Sequence, residues 1–586
     1  MEAKRLFDLV YQQLKKYPNP NMFVTKIDGQ WIGTSTENFI QQTREISKGL
    51  IALGVKEGDK IAVVSSNRVE WNIMDIAIQQ IGAIMVPIYP NISTNDYRYI
   101  FNDAAIKLAT VGTDELYTKI GGIRSEIPSL EKIYTFDKHE NIPHWEEIKA
   151  LGTEVNDEEI NVRSERIQYE DMATMIYTSG TTGNPKGVML SHKNILSNVE
   201  GCVPRIPAGN YSRCLTFLPV CHVYERMLHY LYIHIGASIY FAESLDTIGA
   251  NMLEVKPHVF TAVPRLLEKV FDKIMAKGDD LTGIKRKLFF WAVEVAEEYD
   301  TVGKSAFYKA KLAIARKLIF SKWQAALGGE VLAVASGSAA LSPRLARIFL
   351  AAGVNVLEGY GLTETSPVIS VNCIKNGIRI GTVGPLLDNV QVKIAEDGEI
   401  LAKAPSVMMG YYNNPTATAE AIDADGWFHT GDIGEMVEGK FLKITDRKKE
   451  IFKTSGGKYI VPQVMENDYK QSRFIEQIMV IGEGEKFPGA FIVPSYAFVR
   501  DWSVKKGHNL EKLSNEELAN NKLVIDRIHQ EIEALNKNYG NWEQIKRFKL
   551  LPNEFSVETG ELTPTLKFKR KVILQKYQDA YNEIYA

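Results

Sequence analysis

The stretch Tyr177-Thr178-Ser179-Gly180-Thr181-Thr182-Gly183-Asn184-Pro185-Lys186-Gly187 brings together the groups that hold a phosphate. Its glycines let backbone N–H groups converge on an anion without interference from Cβ atoms, its hydroxyls add neutral donors, and Lys186 adds a point charge. The apolar runs 172–176 and 188–190 flank it, so the expected arrangement is a phosphate loop between two strands. The loop is not of the Walker A kind: Pro185 stands where the second glycine belongs, and Gly187 replaces the hydroxyl residue that would hold Mg2+. A solvent-exposed Ser/Gly linker would not explain a lysine framed by Pro and Gly between two apolar runs.

Four further segments follow in the chain. They are Gly337-Ser338-Ala339, then Glu358-Gly359-Tyr360-Gly361-Leu362-Thr363-Glu364-Thr365, then Asp425-Gly426-Trp427-Phe428-His429-Thr430-Gly431-Asp432, and finally Thr563-Pro564-Thr565-Leu566-Lys567. With the loop, and in this order, they closely resemble the adenylate-forming superfamily of acyl-CoA synthetases, adenylation domains and luciferases, over nearly the whole chain. Two segments, the run 425–453 that ends in Thr445-Asp446-Arg447-Lys448-Lys449-Glu450-Ile451-Phe452-Lys453, and Cys221-His222-Val223-Tyr224-Glu225-Arg226, resemble the long-chain fatty-acid–CoA ligase branch. Amino-acid-adenylating relatives place an aspartate shortly after the Leu-Pro-x-x-His segment, and 218–227 contains none.

The resemblance implies an AMP-forming acid–thiol ligase whose substrates are a fatty acid, ATP and coenzyme A, with Mg2+ as the metal. Thr178, Ser179, Gly180, Thr181, Thr182, Gly183 and Lys186 would cradle the phosphates. Tyr360, within Glu358-Gly359-Tyr360-Gly361, would stack on adenine, with Gly337, Ser338 and Ala339 closing the other side of a flat slot. Thr363 would offer a hydroxyl to the α-phosphate. Glu364, with Thr178 as a second oxygen donor, would ligate Mg2+, a hard ion that favours oxygen. Asp432 would accept from both ribose hydroxyls, supported by Arg447. Lys567 would be catalytic, bridging the attacking carboxylate and the phosphate as charge develops. His222 would lie near the carboxylate or the entrance to the acyl tunnel. Lys449 would be a pivot, and Ser455-Gly456-Gly457 would face coenzyme A. Each residue has a plainer reading as well: core packing for Tyr360 and His222, a surface ion pair for Arg447, and a solvated basic patch for Lys567 beside Lys569, Arg570 and Lys571.

These groups need a scaffold. A helix-like run over 43–53, a turn at Glu57-Gly58-Asp59, and apolar strands at 61–64 and 84–88 alternate as βαβ units do, so the fold class is α/β. Residues 264–324 read as several helices. The second half is basic and amphipathic, with Lys304, Lys309, Lys311, Arg316, Lys317 and Lys322 among Phe307, Leu312, Ile319 and Trp323. It is readable either as a domain-surface helix or as one lying on an anionic membrane. Near Asp446-Arg447-Lys448-Lys449 the chain turns charged, then Gly-rich, before a smaller run of strands and helices. The expected layout is therefore a large N-terminal α/β body over 1–446, a hinge at 447–449, and a small mobile α+β C-terminal lid over 450–586.

At 586 residues the chain exceeds what one core supports. Its net charge of −3 gives no basic field for nucleic acid, and none is expected as a partner. Cys202, Cys214, Cys221 and Cys373 form no CxxC pair, and the cytoplasm is the simplest compartment. The apolar stretch 231–242 is too short to span a bilayer, so any membrane contact is peripheral. Two rival readings remain: a fatty-acyl-AMP ligase that serves a carrier protein, and an ATP- and lipid-binding scaffold without turnover. Chain length of the acid and oligomeric state are not legible in the sequence.

Overall fold

The computed structural model describes residues 2–178, 184–448, 450–563 and 566–586. Ser179, Gly180, Thr181, Thr182, Gly183 and Lys449, to which the resemblance gives roles, lie outside them, as do Pro564 and Thr565 of the last motif. By contacts the chain divides into two compact units: Met1–Lys393 with Leu401–Thr430 and Met436–Lys443, and Ile394–Ile400 with Gly431–Glu435 and Ile444–Ala586.

The first unit contains two large, mostly parallel sheets. Val-, Ile- and Ala-rich runs such as Lys60–Val64 and Ile84–Ile88 are buried on both faces, as parallel strands between helices must be. They pair in register from Lys60↔Ile84 to Val64↔Ile88. This seven-stranded sheet continues through Met172–Thr178 to Lys186–Ser191 and ends in the short strand Gly410–Tyr411, the last two joining antiparallel. The eight-stranded sheet runs Val368–Val371, Val356–Gly361, Ala333–Ser336, Val259–Ala262, Arg213–Thr216, Ser238–Phe241, Phe23–Ile27, Gln30–Thr34. In each sheet a parallel core gives way to an antiparallel edge, and the strands flanking the phosphate-loop candidate and those flanking Thr363-Glu364-Thr365 lie at those edges.

The first helix of the βαβ run is longer than expected, Thr36–Ala52 rather than 43–53, because the Ser35 side chain caps it by accepting from the Asn38 N–H, seven residues upstream of the expected start. Residues 264–324 are helical as expected. Of the apolar residues among their lysines, Leu312 and Trp323 pack into the core with Phe289 and Phe320, Ile319 lies half-buried against them, and Phe307 is exposed. No helix among the described residues is long and apolar enough to cross a membrane.

The second unit is α+β. Ile475–Ile481 and Gly489–Pro494 pair antiparallel, Arg547–Leu550 adds in parallel, and the helices Pro462–Tyr469 and Lys522–Asn536 contribute Met465, Ile528 and Ile532 to its core.

Candidate active site

In the first unit the strands that flank the phosphate-loop candidate pair antiparallel. Thr178 faces Lys186 and Tyr177 faces Gly187 across the two strands. Gly187 sits close to its neighbours: a Cβ there would come 2.9 Å from Met175 Sδ and 3.2 Å from the Tyr177 ring, and the methionine would have to shift. The next strand in the sheet is Gly410–Tyr411, in which Tyr411 pairs with Val188. Its ring lies under the Lys186 ammonium, 4.8 Å from the ring centroid, and its phenol donates to Glu364 Oε1 at 2.9 Å. Lys186, Tyr411 and Glu364 thus form one connected line. Burial, together with the adjacent carboxylate, pushes the Tyr411 phenol well up, so it remains a donor at any ordinary pH.

Glu364 is delivered by a hairpin. Val356–Gly361 pairs antiparallel with Val368–Val371, and Thr363-Glu364-Thr365 forms a single 3-10 turn at the tip. The tip is held from inside, with Thr365 Oγ1 receiving the Leu362 N–H at 3.0 Å and Met408 N–H donating to the Glu364 carbonyl at 2.8 Å. Gly361 cannot carry a side chain, since a Cβ would fall 1.8 Å from the Pro367 carbonyl oxygen. Thr363 is buried and Tyr360 half-buried beside it.

Gly337, Ser338 and Ala339 follow the strand Ala333–Ser336, whose Ser336 is paired with Glu358. Glu358 is not turned outward: its carboxylate accepts the Leu341 N–H at 2.9 Å and so ties the 337–341 loop to the strand that carries Tyr360. Burial raises this carboxyl from its usual 4.5 to about 7, despite that N–H. Ser338 adopts a left-handed backbone, φ +70°.

His222 caps the helix Val223–Ile235, its Nδ1 accepting the Tyr224 N–H at 3.2 Å. The following turn of this helix is buried in polar contacts that the sequence did not suggest. Arg226 pairs with Asp75 and donates to Thr174 Oγ1 at 2.6 Å, and Glu225 accepts from the Thr216 and Thr261 hydroxyls. Thr174 belongs to the strand that ends at Thr178, so the ion pair sets His222 and Tyr224 in register with that strand. The Tyr224 ring lies against Gly337, 3.4 Å from the position its Cβ would take.

In the second unit, Asp432 and Arg447 come together as the sequence suggested. They lie on the strands Phe428–Val437 and Phe441–Arg447, with Arg447 Nε 3.3 Å from the buried Asp432 carboxylate. The neighbouring Asp446 was not foreseen. Burial raises its carboxyl to about 6, while the Arg447 N–H donates to it at 2.6 Å. Ser455, Gly456 and Gly457 form the exposed tip between Phe452–Lys453 and Tyr459–Ile460, where Gly457 takes φ +75°.

Lys567 sits where the chain doubles back. Its N–H donates to Thr563 Oγ1 at 3.0 Å and its carbonyl accepts from the Thr563 N–H at 2.8 Å. Arg570 beside it is no solvated cation: it pairs with the buried Glu466 at 2.6 Å and donates to the Val480 carbonyl at 3.0 Å.

The residues present suit Mg2+. Tyr411 occupies one Glu364 oxygen, leaving the other as a hard donor, and no basic side chain among the described residues pairs with that carboxylate. With one such donor, the remaining positions fall to phosphate oxygens and water, the manner in which Mg2+ commonly binds with a nucleotide.

The AMP-binding enzyme family matches residues 10–412, and the AMP-binding enzyme C-terminal domain matches residues 449–586. A long-chain-fatty-acid–CoA ligase of Mycobacterium tuberculosis is 33% identical over 583 residues, covering 98% of this chain and 96% of the relative. Long-chain-fatty-acid–CoA ligase 1 of Homo sapiens is 31% identical, covering 93% and 82%. Among solved structures, the adenylation domain of a carboxylate reductase from Mycobacterium chelonae superposes with a TM-score of 0.77 at 20% identity, covering 100% and 92%. A fatty acyl CoA synthetase of Mycobacterium tuberculosis gives 0.62 at 19%, covering 98% and 99%. At such identities the two structures speak to fold alone.

Proposed function

The chain belongs to the AMP-binding enzyme family, and from that premise we propose that it activates long-chain fatty acids. The carboxylate attacks the α-phosphorus of ATP, giving acyl-AMP and pyrophosphate; the thiol of coenzyme A then attacks the acyl carbon, giving acyl-CoA and AMP. The observation that carries this reading is likeness along 98% of the chain to a long-chain-fatty-acid–CoA ligase. The connected line Lys186, Tyr411, Glu364 fits the first step.

In this reading Lys186 and the loop 178–183 hold the phosphates, and Thr363 donates to the α-phosphate. Tyr360 and the segment Gly337-Ser338-Ala339 take the adenine, and Asp432 with Arg447 takes the ribose hydroxyls. Glu364 and Thr178 would hold Mg2+, which when bound neutralises charge on the phosphate oxygens. Tyr411 keeps Glu364 aimed. Lys567 bridges carboxylate and phosphate during the first step, and positioning together with charge stabilisation supplies most of the acceleration.

A site built around Lys567 serves adenylation and obstructs the thiol. We therefore assign 1–446 as the body, 447–449 as a hinge pivoting at Lys449, and 450–586 as a lid that turns between the two steps and then offers Ser455, Gly456 and Gly457 to coenzyme A. The expected compartment is the cytoplasm, with peripheral contact at a membrane.

The test is a mass-spectrometric assay with ATP, Mg2+, coenzyme A and a ladder of straight-chain acids. Long-chain acyl-CoA matched by AMP supports the reading. Acyl-AMP that passes only to a phosphopantetheinylated carrier protein would replace it with the carrier-protein ligase, and ATP binding without AMP would leave a scaffold.

A further inference from the structure

The helices Ala306–Ala315 and Ser321–Ala326, joined by the π turn Arg316–Phe320, present two different faces. Tyr308, Leu312, Ala315, Phe320 and Trp323 fill the core, and the exposed Arg316 is tethered by its Nε, which donates to the Ala351 carbonyl at 2.8 Å. The opposite face should be polar in an ordinary surface helix. Here Phe307, Ile314 and Leu318 stand on it 72%, 52% and 44% exposed, spaced seven and four residues apart as one stripe.

Lysines border that stripe. Lys311 Nζ lies 4.6 Å from the Phe307 ring centroid, and Lys309 and Lys317 are exposed. Residues 301–329 include six Lys and Arg and no Asp or Glu, in a chain whose net charge is −3. None of Lys309, Lys311 and Lys317 forms an ion pair among the described residues.

We propose that this face docks on an anionic phospholipid bilayer, with Phe307, Ile314 and Leu318 entering the boundary between headgroups and acyl chains and Lys309, Lys311 and Lys317 resting on lipid phosphates. An apolar ridge flanked by lysines matches the way an amphipathic helix lies in a membrane interface. A nucleic acid would use the lysines but leave Ile314 and Leu318 in water. A second copy of the same face would bring lysine against lysine. What docking serves rests on the long-chain reading given above: a fatty acid dissolved in the bilayer is then captured where it is concentrated.

The test floats the full-length protein with vesicles of phosphatidylcholine alone or with phosphatidylglycerol added. Binding is expected to the anionic vesicles and to fall with salt. Two triple variants are compared, Phe307→Ala/Ile314→Ala/Leu318→Ala and Lys309→Ala/Lys311→Ala/Lys317→Ala. All six positions are exposed or half-exposed on helical segments, where alanine is well tolerated. Each variant is expected to weaken binding, the lysine variant by about two orders of magnitude, from roughly fivefold per basic side chain at an anionic surface. ATP–pyrophosphate exchange with a soluble medium-chain acid should be unchanged in both variants. Wild-type protein that floats with neither vesicle, or variants that float as wild type does, would overturn the proposal. So would concentration-dependent dimers lost in the variants without vesicle binding. Failure of exchange in the wild type would count against acyl activation and leave the flotation result standing by itself.

Discussion

Tyr411 donates its phenolic hydrogen to Glu364 at 2.9 Å while its ring lies beneath the Lys186 ammonium. A single aromatic side chain thereby couples the proposed phosphate-binding lysine to the proposed metal-binding carboxylate. Removing only the hydroxyl separates the two contacts. Tyr411→Phe keeps the ring under Lys186 and frees Glu364. A hydrogen bond to a charged group contributes roughly 1.5–3 kcal/mol, so MgATP affinity in ATP–pyrophosphate exchange should fall about ten- to a hundredfold. Tyr411→Leu, which also loses the cation–π contact, should be weaker still; equal affinity in wild type and Tyr411→Phe would dissociate Tyr411 from the metal site.

The two half-reactions should separate genetically. Lys567→Ala is expected to slow acyl-AMP formation by about a hundred- to a thousandfold, the usual loss when one charge-stabilising group is removed, yet to convert supplied acyl-AMP to acyl-CoA normally. Lys449→Pro should do the reverse, sparing adenylation and damaging thioester formation. Rapid-quench assays of each step read this out, and parallel loss of both steps in Lys449→Pro would count against the pivot.

Glu358 gives stability a pH dependence whose sign is defined. Its carboxyl moves from the usual 4.5 up to about 7 in the folded chain, so between those values the native state holds a proton that the unfolded state has released. Stability contributed by the neutral carboxyl is complete below 4.5 and is lost as pH rises through about 7, amounting to about 3 kcal/mol at most. Glu225, also raised to about 7 by burial, acts in the same direction. Buried His192 and His229, lowered to about 3, act in the opposite direction below 6.5, so the Glu358 contribution is read as a difference between proteins. Relative to wild type, Glu358→Gln, whose amide oxygen still accepts the Leu341 N–H, should gain in urea midpoint as pH rises from 4.5 to 7; a difference that does not change with pH would mean that Glu358 is ionised in the folded protein.

Arg226 and Asp75 are both fully buried. Breaking such a pair by Arg226→Met leaves a buried carboxylate uncompensated and should cost about 3–5 kcal/mol, whereas Arg226→Met/Asp75→Leu should recover most of it. Thermal melts of the wild type and the two variants decide this. If the double variant is as unstable as the single, the ion pair contributes more than its own charge balance.

The motifs were legible because their chemistry is local. A lysine framed by Pro and Gly between two apolar runs can hardly avoid being a loop between strands, and Thr178 does face Lys186 across an antiparallel strand pair. Asp432 and Arg447 were likewise nameable and lie together. Tyr411 was not, because its meaning depends on Glu364, 47 residues away in sequence. Arg226 was unreadable as a core residue, since a charged side chain is expected at the surface unless its partner is known. Helical periodicity alone did not assign the faces of the basic helices: apolar residues occur on both, and only packing shows that Leu312 and Trp323 turn inward while Phe307, Ile314 and Leu318 are exposed.

The central claim is that the acid is activated as an adenylate, and the fate of one oxygen tests it most directly. A long-chain acid labelled with 18O in its carboxylate is incubated with the protein, ATP, Mg2+ and coenzyme A, and the AMP is weighed. If the carboxylate attacks the α-phosphorus, each AMP formed alongside acyl-CoA carries one 18O atom. Label appearing in free phosphate together with ADP, or acyl-CoA formed with unlabelled AMP, would contradict the account.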